Sequence, residues 1–203
     1  MAQFFVINAD NPQSRLITQA VKIIQNGGVI VFPTDSAYAI GCQLANKDAV
    51  ERIRLLRQLD ENHHFTLICR DLSEISTYAT LHNPDFRLLK ANTPGPFTFI
   101  LPASKEVPRR FLHPKRKTIG LRIPNSNIVQ ELLKELNEPV MSVTLALPGQ
   151  EPFVEARDVY DSLSKQVDLI IDGGLCSRIP TTIVDLVDGK PTIVRMGKKE
   201  LQL

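Results

Sequence analysis

Gly27-Gly28-Val29-Ile30-Val31-Phe32-Pro33-Thr34-Asp35-Ser36-Ala37-Tyr38-Ala39-Ile40-Gly41 is the stretch that decides how the chain is read. Residues 29–32 form a short unbroken apolar run, the pattern of a strand buried on both faces. Pro33-Thr34-Asp35-Ser36 is a turn-rich break directly after it. Upstream, Leu16, Ile17, Ala20, Val21 and Ile24 recur at helical spacing, and Gly27-Gly28 stop that helix. Asn11-Pro12 supplies a capping side chain and a proline for its start. Helix, glycine stop, buried strand and turn together read as one unit of an α/β fold.

The alternation continues on both sides. Further helices are predicted over 47–57, 71–78, 85–90 (announced by Asn83-Pro84), 127–136 and, more weakly, 159–163. Strands are predicted over 65–68, 97–101, 119–123, 140–144, 169–171, 182–186 and 192–195. Asp188-Gly189 marks a tight turn, so the last two strands form a hairpin. An antiparallel closing hairpin in an alternating chain implies a mixed sheet with flanking helices.

The composition, 43% hydrophobic and 23% charged, is that of a globular chain and not a disordered one. The 24 basic and 22 acidic residues give a net charge of only +2, which by itself does not suggest nucleic acid. Distribution matters more. The segment 105–122 holds Lys105, Arg109, Arg110, Lys115, Arg116, Lys117 and Arg122 against the single acid Glu106, a local +6 that leaves −4 elsewhere. A charge run is usually a solvated face. With Phe111 and His113 interleaved, this one suits a phosphate-rich partner equally well.

Cys42, Cys69 and Cys176 are odd in number, contain no C-x-x-C pair, and join no histidine pattern that would bind zinc. They read as reduced, buried thiols of a cytoplasmic protein, with no metal site. Met1-Ala2-Gln3-Phe4 has no signal-peptide character, and no apolar run approaches the roughly 20 residues of a membrane span.

Phosphate-loop, dinucleotide and nucleophile-elbow motifs are missing. His63-His64 reads as a solvated pair, because neighbours on a strand face opposite sides. Thr34, Asp35 and Ser36 lie where a buried strand ends, the place where open α/β sheets bind ligands. The competing reading makes Thr34 and Ser36 turn hydroxyls serving local backbone, and Asp35 a turn former.

Six ordered blocks carry a family resemblance. The opening stretch resembles the G-x-hydrophobic-PTDT-x-YGLG signature of the YrdC family, the superfamily of threonylcarbamoyl-AMP synthases. Thr93-Pro94-Gly95-Pro96-Phe97-Thr98 resembles its PGP-x-T block, and Thr118-Ile119-Gly120-Leu121-Arg122-Ile123-Pro124 its T-V-G-V-R-x-P. Asp172-Gly173-Gly174, Pro180-Thr181-Thr182-Ile183-Val184-Asp185 and Ile193-Val194-Arg195-Met196-Gly197 resemble its closing blocks. Arg57-Gln58-Leu59, His64-Phe65-Thr66-Leu67 and Cys69-Arg70-Asp71-Leu72-Ser73 are similar to the YciO branch in particular. The blocks run from about residue 20 to 197, so the resemblance implies a single YrdC-like domain over 1–203.

The resemblance implies a twisted open mixed sheet with flanking helices and a large concave basic surface. It further implies a nucleotide-sized cavity contacted by Thr34, Arg57, Thr98, Arg122, Thr144, Thr182 and Arg195. RNA, either tRNA or double-stranded, is the implied partner of Lys105, Arg109, Arg110, Lys115, Arg116 and Lys117. No tightly bound cofactor is implied; ATP or AMP, with Mg²⁺, would enter as substrate. The synthases carry K-x-R where this chain has Arg57-Gln58-Leu59, and S-x-N where it has Thr144-Leu145-Ala146. A guanidinium does not replace a compact ammonium freely, and lost contacts to charged groups are worth about 1.5–3 kcal/mol each. The expectation is a nucleotide- and RNA-binding protein related to the synthases. The alternative is an active enzyme: a weak synthase using threonine, bicarbonate and ATP, or a hydrolase of the intermediate. No catalytic side chain is nominated.

Overall fold

The computed structural model describes residues 1–60, 63 and 65–203. His64, one half of the histidine pair and of one resemblance block, lies outside them. Strand β1 spans Gln3–Val6, helix α1 Ser14–Gln25, β2 Ile30–Phe32, β3 Ala39–Gln43 and α2 Lys47–Arg57. Then follow β4 Thr66–Ile68, α3 Leu72–Tyr78, α4 Asn83–Asn92, β5 Phe97–Pro102, a 3₁₀ turn at Arg109–Phe111, and β6 Thr118–Arg122. The chain closes with α5 Asn127–Leu136, β7 Val140–Thr144, α6 Ala156–Leu163, β8 Leu169–Asp172, β9 Thr182–Asp185 and β10 Thr192–Arg195.

Among the described residues the strands form one ten-stranded sheet in the order β1-β8-β2-β3-β7-β4-β6-β5-β9-β10. Pairs β1–β8, β8–β2, β4–β6 and β5–β9 are parallel and the others antiparallel. The mixed sheet and the β9–β10 hairpin agree with the sequence reading. Strand β1 is an addition. It pairs in register with β8, Phe4 opposite Ile170, but only half-buries Phe4 and Phe5, so no continuous apolar run marks it.

The start of α1 is a correction. Asn11-Pro12 do not open the helix, because the Asn8 carboxamide takes the Asp10 and Asn11 N–H groups (2.9 Å each) and holds the segment as a turn. The helix begins at Ser14. Its end is as expected: Gly27 at φ +83° donates to the Ile24 carbonyl (3.0 Å), and Gly28 donates to Ile23 (2.9 Å).

Two apolar layers sandwich the sheet, and they differ in extent. One packs α2, α3, α4 and α6 along the sheet from β1 to β9, through Ile53, Ile75, Leu89 and Val159 against Val31, Ile40, Leu67, Phe99 and Leu121. The other packs α1 and α5 on Ile30, Phe32, Ala39, Ile68, Val140, Leu169 and Ile171, and stops there. Helix α5 buries Ile128, Val129, Leu132, Leu133 and Leu136 in that layer, each worth about 1.5–3 kcal/mol. Among the described residues no helix packs on this face beyond Ile68 and Val140.

Candidate functional site: a cationic cleft on the uncovered half of the sheet

Side chains two apart on a strand share a face. Thr66 and Ser142, two residues from Ile68 and Val140, therefore stand on the same face but outside the helical cover. Cross-strand register continues the row: Gly41 faces Ser142, Ser142 faces Thr66, Thr66 faces Gly120, Gly120 faces Ile100, and Ile100 faces Asp185. These small and hydroxylic residues make a floor where larger ones would fill the space. A Cβ on Gly120 would stand 3.1 Å from Thr66 Oγ1 and 3.4 Å from Thr98 Cγ2.

A cavity of about 250 Å³ opens on this floor, walled by Ala37, Arg57, His63, Thr98, Arg122, Thr144, Thr181 and Arg195. Through Thr66, Thr98 and Ile183 it meets a second compartment of about 310 Å³. That compartment is lined by Phe65, Ile100, Phe111, Ile119 and Val194, with Thr118, His113, Arg116 and Asp185 also in its wall.

The three arginines of the first compartment are held differently. At the C-terminus of α2, Arg57 donates from Nε to the Thr144 carbonyl (2.9 Å) and from Nη1 to the Ala146 carbonyl. Arg195, on β10, donates from Nη2 to the Thr181 carbonyl (2.9 Å) and hydroxyl (3.3 Å). Among the described residues neither is ion-paired to a carboxylate. Burial lowers the pKa of both. Arg122 is buried and paired with Asp35; its Nη2 also reaches Ser36 Oγ (3.0 Å) and Thr34 Oγ1 (3.2 Å). Burial pulls its pKa down and Asp35 opposes that pull. Its Nε is buried and has no hydrogen-bond partner among the described residues. The Asp35 carboxylate also accepts the Asn125 N–H (2.8 Å), and the Asp35 carbonyl accepts from Lys198 Nζ (2.8 Å).

Of the residues named from sequence, Arg57, Thr98, Arg122, Thr144 and Arg195 meet in this cavity. Thr34 does not. Its hydroxyl donates to the Ala37 carbonyl (2.6 Å) and accepts the Ser36 N–H (3.1 Å), the local role weighed for it; its open side faces a separate depression with Asn125 and Cys176. Thr182 is a correction as well. It is wholly buried, donating to the Lys199 carbonyl (2.5 Å) and accepting from Gly197 N–H (3.0 Å). Its neighbour Thr181 faces the cavity and shares a hydrogen bond with Thr98 (2.9 Å). The register could have been found from parity, since Thr182 must follow the buried Val184. Thr66, Ser142 and Thr181 were missed, and His63 stands in the wall while exposed.

Lys105, Arg109, Arg110, Lys115, Arg116 and Lys117 are all exposed, on the 3₁₀ turn and the loops around it. Two already make internal contacts. Arg110 donates to the Leu44 carbonyl (2.8 Å) and lies over the Phe111 ring. Arg116 binds Asp185 bidentately at 2.6 and 3.2 Å. Burial by itself would raise the Asp185 pKa, but Arg116 and the Val187 N–H outweigh it and hold the carboxyl below its usual range. All three cysteines are free thiols, two buried and Cys176 half-buried. The described residues contain no cluster of three or more metal-ligating side chains and no helix long and apolar enough to cross a membrane.

The site is the bare half of one face of a mixed α/β sheet, floored by hydroxyls and walled by Arg57, Arg122 and Arg195. The family is equally plain: the Sua5/YciO/YrdC model, described as telomere recombination, matches residues 22–197, and the chain belongs to that family. It is 57% identical over 199 residues to YciO of Escherichia coli K12, covering 97% of this chain and 96% of that one. The crystal structure of E. coli YciO superposes with a TM-score of 0.95 at 56% identity, over 98% of each chain. P. abyssi Sua5 complexed with L-threonine shares the fold, with a TM-score of 0.88 at 23% identity over 96% of this chain and 57% of that one.

Proposed function

We propose that the cleft binds a nucleotide, its anionic group between Arg57 and Arg195 and its base in the apolar compartment, and that the exposed basic segment binds RNA. One observation carries the first part: two guanidiniums line a half-buried cavity, oriented by backbone carbonyls and with no ion-paired carboxylate among the described residues. Arg57 is half-buried, and a partly buried cation without a counter-charge is costly; a phosphate or acyl phosphate bound between it and the more exposed Arg195 removes that cost with charge-assisted hydrogen bonds. The hydroxyls of Thr66, Thr98, Ser142, Thr144 and Thr181 suit the remaining oxygens. Among the described residues this wall holds no carboxylate, so Mg²⁺ accompanying a triphosphate would be carried on the phosphates themselves.

The fold shared with a Sua5 solved with L-threonine supports a kinship to threonylcarbamoyl-AMP chemistry. A second reading, an enzyme making or hydrolysing that intermediate, is favoured by one contact: the two altered motifs meet, Arg57 clasping the carbonyls of Thr144 and Ala146. Thermal-shift titration with AMP, ATP and threonylcarbamoyl-AMP tests the binding reading; stabilisation is expected in wild type and lost in Arg57→Ala and Arg195→Ala. No shift with any of the three sinks it. Threonine-dependent release of pyrophosphate, or release of AMP from the intermediate, would move the assignment to the enzyme. The RNA half predicts affinity that falls steeply with salt; affinity untouched by salt and by charge reversal of Arg109 and Lys115 rejects it.

A further inference from the structure

We propose that the Arg116–Asp185 ion pair couples the cleft to the basic surface: an RNA phosphate that takes Arg116 from Asp185 weakens the cleft's hold on an anionic ligand. This rests on the binding reading above and deepens it, adding regulation of the same site. The pair straddles the boundary between the two surfaces. Asp185 closes the floor row of the second compartment and its side chain is 12% exposed; Arg116 is 41% exposed and stands between exposed Lys115 and Lys117. The main chain here is anchored, because His113 Nδ1 accepts the N–H of Lys115 (3.2 Å) and of Arg116 (3.0 Å). Exchange therefore needs only the Arg116 side chain to swing.

The end-on edge of the Arg116 guanidinium, Nη1 and Nη2, is the one that grips Asp185, and that edge serves one oxyanion bidentately at a time, so a phosphate that takes it displaces the carboxylate. With Arg116 on a phosphate, Asp185 keeps the Val187 N–H (3.0 Å) but loses its cation. An uncompensated, mostly buried negative charge then faces the compartment that is continuous with the anion-binding cavity through Thr98 and Ile183. The two ligands disfavour each other, and by linkage each weakens the other by the same factor.

The test uses the full chain, AMP as the anionic probe and an RNA duplex of about 16 base pairs. The AMP Kd is measured calorimetrically with and without saturating duplex at fixed salt. Wild type should bind AMP about tenfold more weakly with the duplex present, within the usual range of coupling. In Arg116→Ala and in Asp185→Asn that ratio should fall below about twofold, and Asp185→Asn should bind duplex more tightly because Arg116 is released. Circular dichroism confirms folding, and the variants approach the pair from opposite sides, so failure of one leaves the other. If duplex binds and the wild-type AMP Kd does not move, or the coupling survives in both variants, this inference is overturned while the binding reading stands. Absence of AMP or duplex binding altogether strikes the binding reading itself.

Discussion

Ile68 and Thr66 lie two residues apart on one strand and point the same way, yet one is sealed beneath helix α5 and the other floors an open cleft. Val140 and Ser142 repeat the contrast on the neighbouring strand. The cover of α1 and α5 ends between these positions, and the side chains change with it from branched aliphatics to hydroxyls and glycine. One sheet face thus does two jobs. Its covered half stabilises the fold through apolar burial; its bare half, apart from the buried Arg122–Asp35 pair, keeps volume and hydrogen-bonding capacity for a ligand.

The sharpest way to break this division is at Arg122, a buried charge on the bare half. Arg122→Met leaves Asp35 mostly buried without its cation, a change expected to cost about 3–5 kcal/mol. The double variant with Asp35→Asn should recover most of that loss. Urea unfolding checks both, and a single variant costing under about 1 kcal/mol would mean that the pair is not structural. Next in size is the comparison itself. Ile68→Ala should cost about 2–5 kcal/mol, while Thr66→Ala should stay within about 1 kcal/mol. Equal costs would show that the boundary is drawn in the wrong place.

That boundary was only partly legible in the chain. The opening stretch gave the α/β unit because Val29–Phe32 is apolar at every position, and the α5 stripe is equally plain. The floor was not, because Thr66 and Ser142 look like ordinary strand residues until the register sets them opposite each other and Gly120. Thr182 was chosen over Thr181 because a motif names residue types and not the face each turns to. The clasp of Arg57 on the Thr144 and Ala146 carbonyls is a pair of side-chain-to-backbone contacts across 87 and 89 positions, and such contacts leave no mark in residue identity. Segment 105–122 was legible as charge, but its internal pairing of Arg116 with Asp185 was not.

On the bare half, ligand affinity should respond where stability does not. Arg57→Ala and Arg195→Ala should each weaken AMP binding about 10- to 100-fold, the worth of a charged hydrogen bond, with little change in the urea midpoint. Calorimetry and urea unfolding on the same preparations separate the two effects. A variant that loses stability in step with affinity would erase the distinction between the halves.

The smallest effect comes from the thiols of the fully covered face. Burial pushes the Cys42 pKa from 9.0 up to about 12 and raises Cys69 well above its usual value. Folded Cys42 therefore holds its proton where the unfolded chain has already released it. Its contribution to stability is complete below about pH 9 and is lost as pH rises from there toward 12, at up to about 1.4 kcal/mol per pH unit. By pH 10 the loss should be on the order of 1 kcal/mol, and Cys42→Ala should flatten the slope of urea-derived stability against pH. Cys176 gives the contrast. It is half-buried beside the Thr34 loop; burial raises its pKa too, but the hydrogen bond to Thr34 and the charges of Lys198 and Arg122 pull it back. Cys176→Ala should change the alkaline slope less than Cys42→Ala. The reverse order would mean that the depression beside Thr34, and not the core around Cys42, is the drier of the two.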